Sequence, residues 1–502
     1  MKSAKQTGEE KYYLALNEDN GHFFGFGERT EDEMTIDGLK QMVDNYVRGT
    51  QVRQLLFSPN SMCTSCASDV WDPIWHGHDD PEAAKKAGAN SWQVNTLLLH
   101  KRGIDPYAVW IAYSRELGVS PWLSMRMNDV HSVDDPDSYM HSSFWKENPQ
   151  FRRMTGRFKK LTDRAFDYGH EAVRDYHMAF IRELFERYDF DGLELDWMRF
   201  GFHFRPGHEE EGIPILTTFM TEVRRLADKH AKRRGHPIQI GTRVPSRPWT
   251  AKALGMDAVT WAKKGLIDML VVTPFWASIE TDMPIEQWKE LLGDSPVILA
   301  AGLEILIRPY PAADAGFTNS AGTVRGTAAS LIHKGANRIY LFNYMDSVTT
   351  VSNPEDYSHI LREAGTLKTA TAHPRRHVVT YSDTWAPGEP EVYALPVHCS
   401  PGHTAAFQIH IGPRPAAGKV RVFIGLGEEG SREAAPLDVR VNGEPCSASE
   451  SAPPTHIHPI VKTMAGFDVP MAAVKAGYNR VEVAGSAGEP YRIVWVELMV
   501  IP

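Results

Sequence analysis

The chain of 502 residues is several times the length at which one hydrophobic core suffices, so more than one domain is expected. Apolar residues at 42%, charged residues at 23% and aromatics at 10% describe an ordinary globular chain and exclude a mainly disordered, collagenous or coiled-coil one. With 63 acidic against 54 basic residues, the net charge of −9 argues against a surface that binds duplexes by neutralising phosphates, so no nucleic-acid partner is expected.

The segment from Met1 to Asn20 lacks the apolar core of a secretory signal; the chain is cytoplasmic as written, or periplasmic or secreted if a signal was removed. No run approaches the roughly 18 to 20 apolar residues of a membrane span, so no membrane partner is expected either. From residue 11 onward the sequence repeats one alternation, a short branched apolar run followed by a helical pattern. Eight runs stand out: Tyr12 to Leu16, Val52 to Phe57, Pro121 to Met127, Phe190 to Trp197, Pro237 to Arg243, Leu266 to Thr273, Pro296 to Leu303 and Arg338 to Asn343. Between them, Val173, Tyr176, Phe180, Leu184 and Tyr188, then Leu216, Phe219, Val223 and Leu226, keep helical spacing. Lys264-Gly265-Leu266 and Lys334-Gly335-Ala336 each set a basic residue and a glycine before a strand, as a helix C-cap requires.

Strands alternating with helices predict a parallel sheet, and eight units fit a closed (β/α)8 barrel better than an open sheet. Two long connections, from Ser58 to about Gly103 and from Asn128 to about Gly169, follow strands and so belong to the face where barrels carry their sites. Beyond about residue 370 helical periodicity gives way to short alternating runs: Thr404 to Ile411, Lys419 to Ile424, Leu437 to Val441, Arg480 to Ala484 and Arg492 to Ile501. With the turn Val441-Asn442-Gly443-Glu444 these predict an antiparallel β-sandwich over 371–502 behind a barrel over 1–370. The sandwich is read as a domain packed on the barrel, with a separate sugar-binding module as the alternative. Four cysteines are too few for a disulfide framework; Cys399 and Cys446 could pair, but two buried thiols are the simpler expectation.

Strand alternation also predicts which side chains enter the barrel, because the opposite face must be apolar to meet the helices. In Phe190 to Trp197 the helix-facing set is Leu193, Leu195 and Trp197, which turns Gly192, Glu194 and Asp196 inward. The same rule sends Ser124, Arg126 and Asn128 inward from the third strand, Gln239, Gly241 and Arg243 from the fifth, and Ala300, Gly302 and Glu304 from the seventh. Enclosed carboxylates are costly, and a purely structural barrel would rarely gather them. A buried ion-pair layer holding Glu194 on Arg126 or Arg243 is the bland alternative. Paired carboxylates are what cleavage of a glycosidic bond needs, one protonating the departing oxygen and the other attacking the anomeric carbon or activating water. Asp196 is assigned as nucleophile and Glu304 as acid/base, with the reverse left open; Glu194, Arg126, Asn128, Arg199 and Arg243 tune or position them.

The segment Phe190-Asp191-Gly192-Leu193-Glu194-Leu195-Asp196-Trp197-Met198-Arg199 resembles the fourth-strand motif of barrel glycoside hydrolases. It is similar to the FDGxDxDxE strand of family 18 chitinases, with Asp191, Glu194 and Asp196 at the three aspartate positions. Met198, however, stands where the proton-donating glutamate belongs, and a thioether cannot donate that proton. It looks more like the DGIxLDYxRYP-type strand of glycosidase-like bacterial barrel proteins, to whose Asp and Arg Asp196 and Arg199 correspond. The resemblance implies a glycoside hydrolase superfamily barrel acting on an oligo- or polysaccharide.

Trp71, Trp75, Trp145, Trp249, Trp276 and Tyr344 fall in or beside loops of the active face, where flat rings stack on sugars. With His203 and Asn343, Trp276 and Tyr344 are expected among the substrate contacts. Arg126, Arg199, Arg205, Arg243 and Arg247 exceed what a neutral sugar needs and suit a uronic or sulfated one, unless they pair with the carboxylates. Cys63-x-x-Cys66 followed by His76-Gly77-His78-Asp79 invites a zinc reading, but the spacing fits no standard site, and no metal or other cofactor is expected. No lysine faces inward, and neither a Gly-x-Ser-x-Gly nor a phosphate loop occurs. The rival readings are a saccharide-binding barrel without turnover and a metal-dependent barrel hydrolase; self-association is left open.

Overall fold

The computed structural model describes residues 13–27, 29–156, 158–346, 353–400, 402–427, 437–451, 453–485 and 491–502. Strands β1 (Leu14–Glu18), β2 (Val52–Phe57), β3 (Ser120–Arg126), β4 (Gly192–Asp196), β5 (Gln239–Pro245), β6 (Met269–Thr273), β7 (Ile298–Leu303) and β8 (Arg338–Leu341) run parallel and close into a barrel, β8 pairing with β1. Every strand falls on a run read from the sequence, with ends displaced by a few residues; Tyr12 lies outside the described residues. Gly265 and Gly335, at φ 67° and 112°, end their helices in the left-handed region that an L side chain disfavours.

Two apolar layers result from the alternation. Leu193, Leu195 and Trp197 join the shell between strands and helices, where Trp197 meets Phe219 and Trp261. Ala15, Leu56, Trp122, Val271, Tyr340 and Phe342 form a separate interior core. Trp122 fills the barrel because glycines flank it: a Cβ on Gly192 would lie 2.4 Å from its ring and one on Gly241 2.9 Å. Above this floor the pairing sets Ser124, Glu194 and Gly241 on one level and Arg126, Asp196 and Arg243 on the next.

After the helix Leu367–Thr371 come β9 (Arg375–Val378), β10 (Val397–Cys399), β11 (Thr404–His410), β12 (Lys419–Leu426), β13 (Leu437–Val441), β14 (Glu444–Pro445), β15 (Ser447–Ala448), β16 (Thr463–Val469), β17 (Tyr478–Gly485) and β18 (Tyr491–Ile501). They form two antiparallel sheets, β10-β18-β12-β16-β15 with β9 against β18, and β11-β17-β13-β14, around a second core. The predicted hairpin joins β13 to β14, with Asn442 and Gly443 both at positive φ. β9 and β16 escape sequence reading for physical reasons. β16 buries only Phe467 and Val469, and β9 buries two arginines, Arg376 donating to both oxygens of the buried Glu497 at 3.0 and 2.6 Å and Arg375 to the Pro413 carbonyl at 3.2 Å. β9 also lies against the helix Ala321–Lys334, where a Cβ on Gly326 would stand 2.0 Å from the Arg376 carbonyl oxygen. Cys399 and Cys446 are both free thiols; Cys399 is buried and Cys446, expected buried, is only half so. Among the described residues no helix is long and apolar enough to cross a membrane.

Candidate active site

The barrel mouth brings Asp196 and Glu304 onto one guanidinium. Arg243 Nη1 donates to Asp196 Oδ2 at 3.1 Å, and Arg243 Nη2 lies 4.0 Å from Glu304 Oε1. The Phe342 ring covers Arg243, its centroid 3.5 Å from the guanidinium carbon. Asp196 Oδ1 accepts the backbone N–H groups of Met198 and Arg199 at 3.0 and 3.1 Å, so both of its oxygens are engaged. Glu304 accepts from Asn343 Nδ2 at 3.1 Å through Oε2, while Oε1 makes no hydrogen bond among the described residues. Burial pushes the Glu304 carboxyl up to about 8, against the pull of Arg243 and Arg199. The pair lies below the surface: Asp196 is 1% exposed and Glu304 0%.

Glu194 sits one level deeper, accepting from Ser124 Oγ at 2.7 Å and Tyr340 Oη at 2.8 Å. Burial first, and then the charge of Asp196, push its carboxyl above the usual range. Arg126 donates to Asp19 and, at 3.3 Å, to Asp129 rather than to Glu194. Burial alone would raise Asp129, but His131 and Arg126 outweigh it and hold the carboxyl low. His131 Nδ1 meets Asp129 Oδ1 at 2.7 Å, and Arg199 Nη2 donates to His131 Nε2 at 3.1 Å. Asp19, Asp129 and His131 were missed because they stand in loops, where no periodicity marks them.

The other predicted contacts separate into two groups. Asn343, at φ 63°, and Trp276, 43% exposed, stay at the mouth. His203 and Tyr344 are buried, each bonded to a backbone carbonyl. His203 Nε2 meets the Trp197 carbonyl at 2.7 Å, and burial lowers the imidazole to about 3. Tyr344 Oη donates to the Glu304 carbonyl at 2.9 Å and fixes the end of β7 from behind. Asn128 Nδ2 donates to the carbonyls of Phe166 and Phe202 at 2.9 and 3.1 Å, tying two mouth loops together. Trp71, Trp75 and Trp145 are core side chains, whereas Trp249 is 48% exposed. Cys63 and Cys66 are buried, with burial pushing the Cys66 thiol up to about 12, and no group of three or more candidate ligands gathers among the described residues.

The segment leading into the sandwich also shapes the mouth. Asp383 accepts the backbone N–H groups of Phe275, Trp276 and Ala277 at 2.8, 2.8 and 2.7 Å, and Glu389 accepts from Trp249 Nε1 at 2.8 Å. Residues beyond the barrel thus present its two exposed tryptophans.

No family model matches the chain, and no curated protein does. Among solved structures, a cycloisomaltooligosaccharide glucanotransferase from Paenibacillus sp. is 10% identical over 98% of this chain and 58% of its own, with a TM-score of 0.35. A maltogenic alpha-amylase from Thermotoga neapolitana is 11% identical over 97% of this chain and 100% of its own, at 0.38. Alpha-L-fucosidase isoenzyme 2 from Paenibacillus thiaminolyticus is 14% identical over 69% of this chain and 48% of its own, at 0.40. This chain spans little more than half of the glucanotransferase and less than half of the fucosidase. Likeness of that degree is silent on activity, which has to be read from the residues at the barrel mouth.

Proposed function

We propose that the chain is a glycoside hydrolase that cleaves glycosidic bonds in an oligo- or polysaccharide, with Glu304 as proton donor and Asp196 as its carboxylate partner. The observation that carries this reading is the Glu304 carboxyl: buried, pushed by that burial up to about 8, with Oε1 making no hydrogen bond among the described residues and Asp196 on the same guanidinium. A carboxylic acid kept neutral in a pocket can protonate a departing sugar oxygen. Once the proton has left, Arg243 and Asn343 face the resulting carboxylate, which can then take a proton from water. Asp196 attacks the anomeric carbon in a retaining sequence, and the trapped sugar is released in the second step. Glu194, Arg126 and Asn128 are positioning residues. The resemblance of the fourth strand to barrel glycosidases supports the reaction class. Met198 at the place of the chitinase acid argues against substrate-assisted chitinase chemistry. The sandwich, after a boundary near residue 371, is a packing domain whose lead-in segment borders the cleft.

A second reading, a saccharide-binding barrel without turnover, is favoured by the near-complete burial of Asp196 and the engagement of both its oxygens. Substrate entry under the first reading calls for mouth side chains to move aside. Assay of wild type, Asp196→Asn and Glu304→Gln on neutral and acidic oligosaccharides, with proton NMR of the first-formed anomer, separates the two. Turnover with retained configuration that both variants lose by about 10²- to 10⁴-fold supports hydrolysis. Saccharide binding that survives in all three proteins with no cleavage supports the binding barrel.

A further inference from the structure

The five arginines near the mouth are not equivalent. Arg126 donates to Asp19 and Asp129, Arg243 to Asp196, Arg205 Nε lies 3.0 Å from Asp167, and Arg247 Nη2 lies 3.3 Å from Glu389. Arg199 forms no ion pair among the described residues, although it is only 8% exposed. Its one side-chain hydrogen bond runs from Nη2 to His131 Nε2, whose ring has its other nitrogen on Asp129; Nε makes none among the described residues. The rings of Phe200, Phe275 and Phe342 lie 5.4, 5.8 and 5.8 Å from its Cζ, replacing water around it with apolar surface and π faces.

A guanidinium taken out of water without a carboxylate costs free energy that the fold does not recover locally. Asp129, Asp19 and Glu304 act on it only from beyond ion-pair contact, the first two being held by Arg126. Its place is set by its own main chain: the Arg199 N–H donates to Asp196 Oδ1, so the unpaired cation and the Asp196 carboxylate are offset by three residues on one turn. Planar, weakly hydrated and rich in donors, it suits an oxyanion held by paired N–H groups.

We propose that Arg199 binds an acidic substituent, a carboxylate or a sulfate ester, on the sugar ring seated beside Asp196, so that the substrate is an anionic saccharide. This rests on the glycosidase reading and narrows its substrate. It also reassigns the arginine surplus legible in the sequence, since four of the five arginines face the protein's own acids.

The test is isothermal titration of the full chain, as Glu304→Gln so that nothing turns over, with oligogalacturonate, sulfated chondroitin oligosaccharide and neutral galacto-oligosaccharide, each repeated with Arg199→Gln and Arg199→Lys. Thermal melts control for folding, and wild-type turnover of the same panel is recorded in parallel. The expected result is tighter binding of one acidic ligand than of the neutral one by about tenfold or more, a preference lost in Arg199→Gln and partly kept in Arg199→Lys. Preference for the first or the second acidic ligand identifies the substituent as carboxylate or sulfate. Equal binding of acidic and neutral ligands, or an acidic preference that survives Arg199→Gln in a protein with unchanged melting, overturns the assignment while leaving hydrolysis intact. Should wild type neither bind nor cleave any of the three, the glycosidase reading fails and this inference falls with it.

Discussion

Asp196 and Arg243 come from neighbouring strands at the same level of the barrel, and their buried side chains meet at 3.1 Å, with Glu304 on the other arm of the guanidinium. Removing the cation strands two carboxyls in a dry site. Arg243→Met should therefore cost about 3–5 kcal/mol of stability by urea unfolding. Adding Asp196→Asn should recover part of that loss, because the two residues interact directly.

Activity should follow the proton on Glu304. As an acid it works only while protonated, so kcat/KM should fall as pH rises through about 8. Asn343 favours the charged form by donating to Oε2, so Asn343→Ala should move that falling limb to higher pH. A pH–rate profile of both proteins checks the sign; a limb that stays in place would separate Asn343 from the acid.

Glu280 gives a stability test away from the reacting groups. Burial pushes its carboxyl up to about 7, with Ser246 Oγ donating at 2.6 Å. Folding then favours the protonated form. The stabilisation is complete below the ordinary value of 4.5 and is lost as pH rises through about 7. The melting temperature of wild type should drop more between pH 5 and pH 8, values spanning the window of that shift, than the melting temperature of Glu280→Gln.

Asp383 holds three consecutive backbone N–H groups of the loop that carries Trp276. Asp383→Ala should cost about 1–3 kcal/mol and loosen that loop. On a cleaved saccharide the expected kinetic signature is a raised KM with kcat nearly unchanged, as for lost uniform binding.

Gly326 tests how tightly the sandwich is mounted. Since its Cβ would enter the Arg376 carbonyl oxygen, Gly326→Ala must displace β9 or the helix, at a cost of about 1–3 kcal/mol. Limited proteolysis should cut this variant faster than wild type between Thr371 and Arg375.

The inward placement of Glu194, Asp196, Arg126, Arg243 and Glu304 was legible in the sequence because a strand has a period of two and its helix-facing side has to be apolar. Met198 and the arginine surplus were legible too, but not what each arginine would meet. The backbone carbonyls that hold His203 and Tyr344 were not legible, because standing near a strand end does not say which way a loop side chain turns. Asp383 could not have been linked to Trp276 from sequence, since the two are 107 positions apart and no local pattern connects them.

What the sequence determined alone was therefore everything governed by local periodicity: eight strand–helix units, the face each strand turns inward, the switch to short alternating strands behind the barrel. Only the tertiary structure decided the register that sets Asp196 level with Arg243, the burial that pushes the Glu304 carboxyl up, and the pairing that leaves Arg199 without an ion pair among the described residues. The reason is physical: alternation follows from the geometry of one strand, whereas charge balance depends on which distant groups share a few ångströms of low-dielectric space.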